Sequence, residues 1–239
     1  QEYYILLLTI LLWVTIALIN SNFALPSYLL EIMGLNGAYF IGALAIMPLM
    51  IKGDFDLSIG GMIASISMGM MMAQAYLHLP VVLTVVVGLI LGVCFGCLNG
   101  FLIARLKVSS IVVTLAMMNI HYGIARFLFQ YLYKDLKGQE VLLDIPNKSM
   151  GIGFVNCLIA VMVVLTVYVL KYHPLGRSLK AIGGNPKIAK RRGFDAFRTT
   201  CLAHGFSGFG AGMVAVAHLS LIDQSSIAAY SGIEFELII

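Results

Sequence analysis

Asp54 and Asp56 are the residues whose type and placing most invite a chemical role. They stand in Lys52-Gly-Asp-Phe-Asp-Leu-Ser-Ile-Gly-Gly61, between two long apolar runs. Charge held this close to hydrocarbon is costly and is usually functional. A spacing of two puts them on opposite sides of an extended segment, or about 200° apart on a helix. That is a poor geometry for a paired-carboxylate acid/base site. Two roles fit better. Asp56 or Ser58 caps the following helix, with an anion at the positive end of its dipole; or the carboxylates gate or line a passage. Asn99, Thr114, Asn119 and Gln130 are further polar groups on or near apolar runs. Such residues hydrogen-bond between helices or line a route for a polar solute.

Other chemistries lack their residues. His121, His204 and His218 would have to converge with a further ligand to hold a metal, and neither HExxH nor GxSxG occurs. No catalytic or metal-ligating residue is assigned. Cys94-Phe-Gly-Cys97 has redox or metal spacing, but it has no second pair and no nearby His, so it reads as packing. No GxxxxGK[ST] is present, and the Gly183-Gly-Asn-Pro186 turn lacks the strand and the Lys-Ser/Thr that hold a nucleotide phosphate. The chain is therefore expected to be no enzyme and to bind no cofactor of its own. If ATP drives it, a second polypeptide must carry the nucleotide.

The contact for such a partner is the segment 171–198. It carries Lys171, Arg177, Lys180, Lys187, Lys190, Arg191, Arg192 and Arg198 against one acid, Asp195, whereas the whole chain sums to only +4. Apolar runs flank it at 153–170 and 199–219, long enough at 1.5 Å per residue to cross a hydrocarbon core of about 30 Å. A basic segment between two spans stays on the cytoplasmic side. Positive charge concentrated there reflects topology and argues against nucleic-acid binding.

The remaining runs agree with that orientation. The chain has 239 residues, of which 60% are apolar and 11% charged, against about 45–50% and 25% in soluble domains. Its mean hydropathy is +0.96. Apolar runs occupy 3–19, 32–51, 62–77, 81–104 and 111–129, with Arg126 snorkelling from the last of these. An eighth run begins near 231. Pro48 breaks the second run late, and the region from there to Gly61 is open to a re-entrant segment. Taking the 171–198 segment as cytoplasmic puts Arg105, Lys107 and Lys52 on the same side, as the loop-charge rule requires. Gly88, Gly92, Gly96 and Gly100 repeat every four residues, a stripe for close helix packing. Gly208 and Gly212 repeat it more briefly. The expected fold is all-α: a polytopic transmembrane bundle, residues 1–239 forming one domain with about eight spans. Both ends read as limits within a larger protein.

Three segments carry a resemblance. Gly53-Asp-Phe-Asp-Leu-Ser-Ile-Gly60 resembles the GIDLSVG signature of the membrane permease of bacterial ribose-type (simple sugar or autoinducer-2) ABC importers. Leu98-Asn-Gly100 with Lys107-Val-Ser-Ser-Ile-Val-Val-Thr-Leu115 resembles a second family segment. His173-Pro-Leu-Gly-Arg-Ser-Leu-Lys-Ala-Ile-Gly-Gly-Asn-Pro186, with Ala189 and Gly193, resembles the family's cytoplasmic loop. The chain departs from the pattern at Phe55, where Ile is usual, and at Ser109, where Pro is usual.

The resemblance implies about ten spans in the whole protein, the last of them missing here, and a multi-pass protein of the bacterial inner membrane. It implies a second permease chain, identical or similar, a cytoplasmic ABC ATPase that binds ATP and Mg, and an extracytoplasmic binding protein that delivers the solute. It places ATPase coupling on 171–198, at Gly176, Arg177, Gly183, Gly184, Asn185, Pro186, Lys190 and Gly193. Pathway or gating roles fall to Asp54, Asp56, Ser58, Asn99, Thr114 and Asn119, and helix packing to the four-glycine stripe. The alternative is a secondary transporter driven by an ion gradient, which would want an ionisable residue buried at mid-span and repeated in an inverted half.

Overall fold

Pro48 does not break its helix. In the computed structural model, which describes residues 2–136 and 148–221, α3 (Gly37–Lys52) runs straight through it. A proline removes the hydrogen bond to the carbonyl four residues back. Here that carbonyl belongs to Leu44, and the Thr166 hydroxyl donates to it at 3.5 Å. The break falls earlier, at Asn36, where α2 (Pro26–Leu35) meets α3 at a bend of 64°. Before them lie α1 (Glu2–Ile19) and a 3₁₀ turn, Ser21–Ala24.

After a short loop come α4 (Ile59–Leu77), α5 (Val81–Leu106), α6 (Ser110–Leu136) and α7 (Lys148–Val167). A π-helical turn, Tyr168–Tyr172, ends α7. The basic segment then folds into two helices, α8 (Pro174–Gly184) and α9 (Pro186–Arg191), before α10 (Ala196–Leu221). No strand occurs among the described residues, and this is a helical membrane protein.

Fewer spans are described than the eight expected. Val81–Leu106, Ser110–Gln130, Gly153–Tyr172 and Ala196–Leu221 are long and apolar enough to cross a membrane, and the bent α2–α3 pair makes a fifth. The first run became α1, an apolar helix. The third run became α4, which Ser, Gly and Gln dilute. Its N-terminal two-thirds are almost wholly buried in protein, so that part needs no lipid-grade hydropathy. The eighth run, the connection before it and residues 137–147 of the mixed-charge stretch lie outside the described residues.

The bundle is built round α10, which is mostly buried along its length, whereas α5 is mostly not. The two pack antiparallel, glycine to glycine. A Cβ on Gly92 would strike the carbonyl oxygen of Gly208, and one on Gly96 that of His204. At Gly100 it would lie 2.6 Å from Cys201 Cα, and at Gly212 3.0 Å from the Gly88 carbonyl oxygen. A repeat of four on both helices keeps the smooth faces together over several turns. The main core, including Ile41, Ala45, Met62, Ile66, Met162 and Val214, gathers α3, α4, α7 and α10, with methionines fitting the gaps left by so many small residues. Cys97 fills space beside Gly205.

Candidate functional site

The site forms where the loop 53–58 passes between helices. Gly53 closes α3 in the left-handed region at φ 89°, a conformation that glycine adopts without strain. The chain turns again just before α4. Because the loop follows neither strand nor helix periodicity, Asp54 and Asp56 do not diverge as their spacing suggests. Both reach His204 of α10: Nε2 lies 3.8 Å from Asp54 Oδ2, and Nδ1 lies 3.7 Å from Asp56 Oδ2.

Each carboxylate has further partners. Lys52 Nζ, at the end of α3, is ion-paired with Asp54. Asp56 Oδ1 accepts from the Ser58 backbone N–H (3.0 Å) and hydroxyl (2.6 Å), and its Oδ2 from the Ser207 hydroxyl (2.9 Å). Asn99 Nδ2 of α5 donates to Ser58 Oγ at 2.7 Å. The start of α6 holds the same loop: the Phe55 and Leu57 N–H groups donate to Ser110 Oγ and Thr114 Oγ1, each at 3.2 Å. Asp56, Ser58, Asn99, Thr114, His204 and Ser207 are all buried. Burial works against charge on both aspartates. His204 next to each of them, with Lys52 at Asp54 and Ser58 and Ser207 at Asp56, outweighs it, so both carboxyls titrate below the ordinary carboxylate range.

The structure therefore brings together Asp54, Asp56, Ser58, Asn99 and Thr114. Asn119 stands apart: it is exposed, and its Nδ2 donates to the Leu115 carbonyl of its own helix at 2.9 Å. Ser58 takes the N-cap position of α4 without a side-chain cap bond; Asp56 instead holds the Ser58 N–H. Sequence reasoning did not place Lys52, Ser110, His204 or Ser207 in this group. His204 and Ser207 are three apart, hence on one face of α10, and that face carries Gly208 and Ala211. This register was the available signal. The Asp–His–Asp arrangement is not a metal cage; among the described residues no group of three or more His, Cys, Asp or Glu is arranged to hold one.

The basic segment lies against the same corner. α8 buries Leu175, Leu179 and Ile182, and its first two cluster with Leu49 of α3 and Ala203 of α10. A Cβ on Gly183 would strike the carbonyl of Ile51, the residue before Lys52. One on Gly176 would lie 2.5 Å from the carbonyls of Val169 and Leu170, so the start of α8 is locked to the end of α7. Gly184 meets nothing within 4 Å. Asn185 caps α9, its Oδ1 accepting from the Lys187 and Ile188 N–H groups at 3.1 Å, with Pro186 in the first turn. Gly193 ends the turn at φ 84°. Arg177, Lys180, Lys187, Lys190, Arg191 and Arg192 are exposed. α8 thus presents cations outward while its apolar side sits on the end of α3.

Residues 28–239 match the family described as the permease component of branched-chain amino acid transport systems. The ribose import permease protein of Haemophilus influenzae is 25% identical over 95% of this chain and 71% of its own length. The L-arabinose ABC transporter permease protein of Azospirillum brasilense is 28% identical over 93% and 66%. An autoinducer 2 import system permease protein of Photorhabdus luminescens is 24% identical over 83% and 59%. The chain thus matches about two thirds of the length of these relatives. No solved structure matches it.

Proposed function

The chain belongs to the family of permease components of branched-chain amino acid transport systems, and on that premise we propose that it forms the translocation path of an ATP-driven importer. The solute is a sugar or related small polar molecule, delivered by an extracytoplasmic binding protein. Two permease chains, identical or alike, share the path in the bacterial inner membrane. A cytoplasmic ABC ATPase supplies the nucleotide site, holding ATP and Mg. Relatives named for ribose, L-arabinose and autoinducer 2 support the solute class.

The single observation that carries the mechanism is the seat of α8 on α3. Exposed Arg177 and Lys180 face outward, while Leu179 and Gly183 press on Leu49 and Ile51. A partner that moves α8 moves the end of α3, and with it the loop that carries Asp54 and Asp56. Packed helices then shift as rigid bodies between inward- and outward-open forms. The binding protein supplies affinity, so a dense polar lining is not required. The ion-gradient alternative draws on the same two carboxylates; their partnering by Lys52 and His204 leaves neither free, which supports the importer reading.

The test is reconstitution with the ATPase and binding protein in vesicles. Replacing Arg177 and Asn185 by Ala is expected to lower solute moved per ATP hydrolysed while the complex still assembles. Transport at the unmodified rate in both variants overturns the coupling role.

A further inference from the structure

His204 was set aside by sequence reasoning as a possible metal ligand, yet its surroundings specify something else. It is fully buried, and neither ring nitrogen makes a hydrogen bond. Nδ1 faces Asp56 and Nε2 faces Asp54, at 3.7 and 3.8 Å. Asp54 Oδ2 takes Lys52, and Asp56 Oδ2 takes the Ser207 hydroxyl, so both aspartates are engaged as acceptors. A neutral imidazole carries one N–H and one lone pair. Whichever tautomer it chose, the lone pair would point at a carboxylate. Only the imidazolium offers a donor to each side.

Charge balance gives the same answer independently. Asp54 and Asp56 against Lys52 leave one uncompensated negative charge in a site where Asp56 is buried and Asp54 partly so, an arrangement proteins avoid. A cation on His204 closes the count to zero. The other groups around it do not replace that cation. Cys97 of α5 and Cys201 one turn back on α10 lie nearby, α4 begins at the hydroxyl of Ser58, and Cys157 and Tyr168 from α7 and its π turn are exposed. Arg177 and Lys180 of α8 are exposed to solvent, and His121 of α6 has its Nδ1 against the Ser65 hydroxyl at 3.0 Å.

We infer that His204 is a proton-loaded positioning residue: as the imidazolium it clamps Asp54 and Asp56, tying the loop after α3 to the central helix α10. Lys52 and Ile51, the floor under Gly183 of α8, adjoin that loop directly. The clamp therefore joins the seat of α8 to the glycine seam between α10 and α5, and this consequence rests on the coupling role proposed for α8. Loss of the proton turns one attraction into a lone-pair clash and frees the loop.

The ring is read directly by ¹⁵N NMR on the full chain with labelled histidine in detergent, the His204 signal being the one that His204→Gln removes. Both ring nitrogens protonated near neutral pH is the expected result; a single-tautomer neutral ring overturns the proposal. Should His204→Gln not fold, His204→Lys, which keeps a fixed cation, serves for the assignment. In vesicles with the ATPase and binding protein, solute moved per ATP is expected to fall by about tenfold in His204→Gln at neutral pH and to be restored toward the unmodified level in His204→Lys. A doubly protonated ring with coupling unchanged in His204→Gln also overturns the proposal. Failure of the unmodified complex to couple at all sinks the importer reading, and leaves the NMR result standing by itself.

Discussion

Alanine substitution along the α5 seam separates close backbone packing from ordinary helix preference. In Gly96→Ala the new methyl meets the carbonyl oxygen of His204, and in Gly92→Ala that of Gly208. Neither obstacle is a side chain that can rotate away. Restoring a normal contact near 3.5 Å requires the helices to part by roughly 1 Å, and forced overpacking of this kind costs about 1–3 kcal/mol. Against this, alanine favours a helix over glycine by about 1 kcal/mol. Gly123→Ala on α6 gains the same propensity where a Cβ would meet nothing within 4 Å. The difference between seam and control therefore isolates the collision. At about 2–4 °C per kcal/mol for a chain of this size, it amounts to about 2–12 °C in the unfolding midpoint. Gly88→Ala, which would meet the flexible Met70 side chain, should fall between the two. The assay is loss of helical circular dichroism on heating in detergent. The reasoning is refuted if Gly92→Ala and Gly96→Ala rise in midpoint alongside Gly123→Ala.

Two further substitutions probe the site and the basic segment. Asp56→Ala removes the acceptor shared by Ser58, Ser207 and His204 and should cost about 3–5 kcal/mol; thermal midpoints in detergent check this, and a loss below about 1 kcal/mol contradicts the network. Asn185→Ala removes the cap of α9, worth about 1 kcal/mol. Faster hydrogen exchange at the Lys187 and Ile188 amides, with an unchanged global midpoint, is the expected signature.

Much of the fold was legible because it depends on local pattern. Apolar runs marked helices, and the four-residue glycine spacing marked a face whatever its partner. The 171–198 segment declared itself by charge, although the surface that the apolar side of α8 covers, Leu49 and Ala203, did not. Fewer than eight spans are described, partly because burial in protein can stand in for hydropathy, as in α4, whose N-terminal two-thirds are shielded by neighbouring helices. Pro48 misled because the sequence could not place Thr166 beside the carbonyl it frees.

The sequence by itself determined which polar residues lie among apolar ones, Asp54, Asp56, Ser58, Asn99 and Thr114, because cost in hydrocarbon is a property of residue type. Their meeting was decided by tertiary structure alone. It needs the left-handed turn at Gly53 and the antiparallel register that sets α10 against α5, and so brings His204 to the loop from about 150 residues away. Asn119 shows the other side of that dependence. Five residues past Thr114, it is turned about 140° from the loop on the same helix, and the polar character that singled it out leaves it outside the cluster.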